Sequence, residues 1–165
     1  MKRSTIVKLW RVLGNLEGLK HDVRFSYFLA KNKVALKAEL EVMEEAQKPS
    51  ESFLAFEQKR VETAQSFADK DANGNPKVHN GQYVIYDKRD EFEKEMAKLK
   101  TKFKTAIAAR EKQVADYAVL LEEPVEISLS KIRFSQLPQQ IESGYLEVFI
   151  EANIIQDDQD ISVVK

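Results

Sequence analysis

The sequence predicts a mainly α-helical protein of the α+β class, with a long antiparallel helical hairpin, coiled-coil-like at its core, and a small antiparallel β element. Three observations carry that expectation. The 165 residues include only 5 Gly and 4 Pro, too few breaks for many short strands joined by turns. Phe92, Met96, Leu99, Phe103, Ala106 or Ile107, Arg110, Val114, Tyr117 and Leu121 recur at steps near four and three, the spacing of a helical seam. Asn80-Gly81 lies between β-prone residues and marks a hairpin, because both turn positions need positive φ. With 43% hydrophobic and 32% charged residues, the chain suits one folded domain over 1–165.

The first helix is expected over about 4–16, with Ser4 or Thr5 as N-cap and Ile6, Leu9, Leu13 and Leu16 on one face. Gly14 and Gly18 weaken it and mark a turn. A second helix over 22–47 carries Phe25, Phe28, Leu29, Asn32, Leu36, Leu40 and Met43 on its stripe. Asn32 there either fixes register or sits at the stripe's edge. Ser50 should cap a third helix over 50–68, with Phe53, Phe56, Val61, Ala64 and Phe67 inward, and residues 69–76 are turn chemistry throughout.

The hairpin is expected over 77–86. Asp87 or Asp90 then caps the longest helix, 88–121, which at 1.5 Å per residue would reach about 50 Å. A helix that long needs a partner surface, and the 22–47 helix is the natural one. After Pro124, Val125, Ile127 and Leu129 alternate with polar residues, predicting a strand over 124–134, with a bulge or twist near Lys131 where Ile132 and Phe134 change parity. A last helix over 139–155 would bury Ile141, Tyr145, Leu146, Phe149 and Ile150, leaving an acidic tail at 156–165.

The absence of Cys excludes disulfides, thiolate zinc sites and cysteine nucleophiles. No apolar run approaches the ~20 residues of a membrane span, and Lys8 and Arg11 interrupt any leader-like stretch, so a soluble, unprocessed protein away from membranes is expected. Residues 1–37 hold nine Lys/Arg against two Asp/Glu, and residues 122–165 hold three against nine. Such ends can dock on each other, stack molecules head to tail, or present a basic face to an acidic partner.

No spacing of residues suggests catalysis. His21 and His79 are the only histidines, and neither has a nucleophile or metal-ligand neighbour in sequence, so no enzyme, no catalytic residue and no cofactor is expected. The one metal-like string is Asp69, Asp71, Asn73 and Gly74, the opening of a calcium loop. Its eighth and twelfth positions would be Pro76 and Asn80, which lack the required apolar residue and bidentate Glu.

The candidate interaction surface comprises Lys8, Arg11, Lys20 and Arg24 in the basic segment and His79, Asn80 and Gln82 at the hairpin tip. Trp10, Phe25 and Tyr27 lie among the basic residues, a nucleic-acid pattern, although on the apolar stripe they default to the core.

In layout and short strings the chain resembles short uncharacterised proteins of tailed phages and prophages of Gram-positive bacteria. The strings are residues 25–32 (FSYFLAKN), 69–76 (DKDANGNP), 80–83 (NGQY), 91–95 (EFEKE), 123–127 (EPVEI) and Leu137-Pro138. The resemblance implies a viral protein of the virion or host cytoplasm and carries no chemistry. The expected function is non-catalytic protein–protein interaction with a phage or host protein or with a second copy, as a virion-associated or assembly accessory factor. Inhibition of a host enzyme or defence complex, and nucleic-acid binding, remain alternatives.

Overall fold

The computed structural model describes residues 1–158. It is mainly helical with a small two-stranded antiparallel sheet, and its elements in order are α1 (Arg3–Glu17), α2 (Val23–Gln47), α3 (Glu51–Phe67), β1 (Val78–His79), β2 (Gln82–Tyr83), α4 (Arg89–Lys102), α5 (Lys104–Glu122), β3 (Ile132–Arg133), α6 (Ser143–Glu151) and β4 (Ile155–Gln156). The chain forms two compact units, one of residues 1–46 with the chain from Asp116 onward, the other of Gln47–Ala115.

The first unit holds the main core. Ile6, Leu9, Leu13 and Leu16 of α1 are each no more than 2% exposed, the three-and-four spacing having placed them on one face. They meet Phe25, Phe28, Leu29, Leu36 and Met43 of α2 and Ile132, Phe149, Ala152 and Ile154 near the other end of the chain. Burying each large aliphatic or aromatic side chain is worth about 1.5–3 kcal/mol. The rings of Phe25 and Phe28 stack at 5.7 Å, and Phe28 meets Phe149 edge-on at 5.8 Å, linking α2 to α6. Parallel strands β3 and β4 pair Ile132 with Ile155 and Arg133 with Gln156.

Several expectations change here. Helix α1 starts at Arg3 with Lys2 in the cap position and no side-chain cap. Thr5 instead donates its Oγ1 to Glu151 at 2.6 Å. Of the strand expected over 124–134, Ile132–Arg133 forms a strand and Pro124 makes an isolated antiparallel bridge to Lys2, with Val125 N donating to Met1 O at 2.8 Å. The stretch before it keeps the alternation, with Val125, Ile127 and Leu129 against the core, yet has no ladder. What holds it is Asn32, fully buried, whose Nδ2 donates to Ser130 O at 3.1 Å while Ser130 N donates to its Oδ1 at 2.8 Å. A side-chain amide takes the place of a neighbouring strand. Helix α6 is shorter than expected and turned slightly, so that Val148 packs on the core while Ile150 is 67% exposed. The acidic tail begins later than expected, because Gln156 belongs to β4 and Asp158 accepts from the Ser135 hydroxyl at 2.7 Å. Its remainder, 159–165, lies outside the described residues.

The second unit is thin. Ser50 caps α3, its hydroxyl accepting from Phe53 N at 3.3 Å. Helix α3 runs antiparallel to α4, and aromatic contacts hold the pair, Phe56 to Phe103 at 5.8 Å and Phe67 to Phe92 at 6.0 Å. Phe56 and Ala68 are its only buried residues. Between the helices Val78 pairs with Tyr83 and His79 with Gln82, and Asn80 and Gly81 take φ of 49° and 76°, as the hairpin turn requires.

The rod expected over 88–121 is not continuous. Phe103 leaves helical geometry at φ −103°, ψ 17°, dividing it into α4 and α5. Just before the break Thr101 Oγ1 donates to Ala97 O at 2.9 Å, a back-bond that bends helices. The seam is also shared out differently. Phe92 and Phe103 meet α3, whereas Tyr117 and Leu121 join the core of the first unit. Arg110 serves neither seam, donating instead to Gln47 O at 2.6 Å with its guanidinium over the Phe53 ring. Neither Asp87 nor Asp90 caps α4, which begins after Lys88, and Asp90 and Glu91 sit in its first turn, where the helix dipole favours them.

Replacing Asn32 with Ala removes both amide bonds to Ser130, each worth about 1 kcal/mol, and leaves buried backbone groups unpaired. The variant is expected to lose about 2 kcal/mol in urea unfolding, with faster hydrogen exchange at the Ser130 amide. Unchanged exchange there would show that the contact does not hold the segment.

Candidate anion-binding groove

The start of α2 is fixed by Asp22, whose Oδ1 accepts from Arg24 N at 2.8 Å and Phe25 N at 3.0 Å. That start sets the helix phase. Phe25, Phe28, Leu29 and Asn32 point inward, and Arg24, Tyr27 and Lys31, at steps of three and four, are left on an exposed flank. Facing them is the stretch from Ser128 to Lys131 that leads into β3, which Asn32 pins at Ser130. Between the two lies a groove of about 460 Å³, over Phe28, bordered by Arg24, Tyr27, Lys31, Ser128, Lys131 and Gln136. Among the described residues no carboxylate lines it.

The charge imbalance between the chain's ends explains why these cations are left over. Lys2 pairs with Glu122 at 2.8 Å, Arg3 with Glu123 at 2.8 Å and Glu39 at 3.1 Å, and Lys8 with Glu151 at 3.1 Å. The Glu122 contact raises the Lys2 pKa, and the Thr5 hydroxyl, followed by Lys8, lowers that of Glu151. Lys33 pairs with Glu17 and Lys37 with Glu41. Among the described residues Arg24, Lys31 and Lys131 have no ion-pair partner, and all three border the groove. The Tyr27 ring is 65% exposed, with Lys31 Nζ 6.0 Å from its centre.

The residues singled out in the sequence are not gathered into one surface. Lys8 is committed to Glu151, while Arg11 and Lys20 are exposed and border no part of the groove. Arg24 alone of the basic set reaches it. His79, Asn80 and Gln82 are exposed at the hairpin of the second unit.

In the calcium-like string the carboxylates are occupied by backbone amides. Asp69 accepts from Tyr86 N at 3.1 Å, and Asp71 Oδ1 accepts from Asn73 N at 2.8 Å and Asn75 N at 2.9 Å. This is an Asx-type turn, with Gly74 at φ 81°. Among the described residues no three His, Asp or Glu side chains gather as a metal site.

No known protein family, no curated protein and no solved structure matches the chain. Its chemistry is therefore read from the side chains alone. Neither histidine borders the groove, and a ring nitrogen of His21 contacts the Leu16 carbonyl at 2.9 Å. The groove offers cations, hydroxyls and a flat ring, a set suited to non-covalent recognition of an anion. Sequence reading missed Lys131 because nothing local connects it to a helix 100 residues earlier. It also assigned Tyr27 to the apolar stripe. At 100° per residue, however, Tyr27 lies far round the helix from Phe25 and Phe28.

The Asp71 carboxyl is held below the ordinary aspartate pKa, chiefly by the Asn75 amide and then by that of Asn73, with Lys77 adding to the effect. A lowered pKa in the folded state means that these bonds contribute fully above the ordinary aspartate range and are lost as pH falls through the lowered value. Carboxyl NMR should place the Asp71 titration below that range, with the Asn73 and Asn75 amides shifting in the same step. Titration at the ordinary value would show that the turn does not form in solution.

Proposed function

We propose that this chain is a non-catalytic protein–protein interaction protein that docks a helix of its partner on the outer face of α3. The observation that carries the reading is the second unit's incomplete interior. Helix α3 turns Phe56 toward α4, yet Leu54 and Val61, seven residues apart on its opposite face, stay 54% and 44% exposed. A helix with apolar residues on two sides and a packed neighbour on one favours a second neighbour.

The partner's chemistry follows from the flanks. At 100° per residue Glu51, Glu57 and Glu62 border the Leu54–Val61 stripe. Glu57 and Glu62 now pair locally with Arg60 and Lys59 at 2.7 Å, exposed contacts worth little that a partner can replace. An amphipathic helix with apolar anchors two turns apart and Lys or Arg beside them is the matching occupant. The resemblance to phage proteins supports a virion-associated or assembly accessory setting.

The test is a double substitution, Leu54→Asp with Val61→Asp, on the half-exposed face of α3 turned away from Phe56. Capture of a specific protein by the full chain is expected to fall at least ten-fold in the variant, with helical content and melting temperature unchanged. Equal capture by both proteins would overturn the reading.

A further inference from the structure

We propose that the groove between α2 and the 128–132 stretch binds a nucleoside phosphate moiety, its base stacked on Tyr27 and its phosphate held by Arg24, Lys31 and Lys131. The inference concerns the first unit alone and is independent of docking on α3.

Three features together define the ligand class. The first is charge. Three cations without ion-pair partners among the described residues surround a concavity that no carboxylate lines. Two come from one helix, about two turns apart, and the third from a segment about 100 residues away in sequence. Cations converging on a concave site raise the local concentration of anions, and most of all of multiply charged ones. A guanidinium and two ammonium groups suit phosphate, the guanidinium binding through a fork of N–H donors and the ammoniums as point charges.

The second feature is the ring. Tyr27 is 65% exposed beside the cations, whereas its neighbours Phe25 and Phe28 are at most 5% exposed. An aromatic side chain left in water amid positive charge is the stacking platform that single-stranded nucleic acids use. An acidic peptide would engage the cations and has no need of the ring.

The third is selectivity and size. A volume of about 460 Å³ accommodates a nucleotide. Ser128 and Gln136 add hydroxyl and amide groups for a base edge or a sugar. The segment carrying Ser128 and Lys131 is fixed by the buried Asn32 amide, so that side of the groove is formed before a ligand arrives. The shared chemistry, a phosphate next to a planar base, occurs both in a free nucleotide and in a single strand.

The experiment titrates the full-length chain into a fluorescently labelled ten-nucleotide oligothymidylate at low salt, with adenosine monophosphate and a ten-residue polyglutamate peptide as competitors. Tyr27→Ala is expected to weaken oligonucleotide binding about ten-fold, the range of one lost base stack. Joint replacement of Arg24, Lys31 and Lys131 by Ala should abolish it, whereas Arg11→Ala with Lys20→Ala, outside the groove, should leave it within about two-fold. Where the oligonucleotide lays successive phosphates on the three cations, affinity is expected to fall about twenty-fold between 50 and 200 mM salt.

Tighter binding of the oligonucleotide than of the mononucleotide supports the proposal with a single strand as the source. Equal affinity per site supports it with a free nucleotide. Competition by polyglutamate as strong as by the nucleotides, no loss in Tyr27→Ala, or no binding of either nucleotide ligand at 50 mM salt would each overturn it. Circular dichroism of every variant verifies that the helices are retained.

Discussion

The first unit depends on one buried amide. Asn32 is enclosed on α2 and makes both of its observed bonds to the backbone of Ser130, 98 residues further along. A buried polar side chain must be satisfied, and a segment with no neighbouring strand must find partners for its own amides. Each group solves the other's problem. Because the bonds join the helix to the segment at a fixed register, they also determine which residues of the segment stand opposite Arg24, Tyr27 and Lys31. The groove is therefore a by-product of satisfying an interior amide, and its shape inherits the rigidity of the core below.

The same unit shows how a chain can be nearly neutral overall and still present a charged face. Its basic and acidic ends meet, with Lys2, Arg3 and Lys8 placed against Glu122, Glu123 and Glu151. These are exposed or partly exposed pairs, and each adds little to stability. Their consequence is chiefly one of distribution. They pair the cations at the start of α1, and leave Arg24, Lys31 and Lys131 without ion-pair partners among the described residues, as they also leave Arg11 and Lys20.

The two units contrast in how apolar surface is used. In the first, α1, α2, α6 and the returning segment enclose rings and aliphatic side chains on all sides. In the second, α3 and α4 meet along a row of phenylalanines and enclose only Phe56 and Ala68. A pair of helices has one interface and two open backs, so apolar side chains in the second unit stay half-covered however well the row packs. Polar contacts help hold its shape, notably Arg110 and Gln113 donating to the carbonyls of Gln47 and Lys48 and the Asp69 and Asp71 carboxylates gathering the turn amides. Direct bonds of this kind orient a surface without filling it.

By itself the sequence determined what local physics controls. The helical stripes of α1 and α2, the Ser50 cap and the Asn80-Gly81 hairpin turn follow from periodicity, capping chemistry and positive φ, all set by residues within a few positions of one another. Tertiary structure decided what those stripes face. The seam of 92–121 reads as one rod, yet Phe103 breaks it, and its start and its last turns join different interiors, because apolar spacing specifies a buried face without naming its partner. Asn32 was visible as a polar residue on a stripe, but its acceptor at Ser130 was not. The meeting of Arg24, Lys31 and Lys131 around Tyr27 was equally hidden, since contacts across about 100 residues arise only when the core closes and brings the returning segment beside α2.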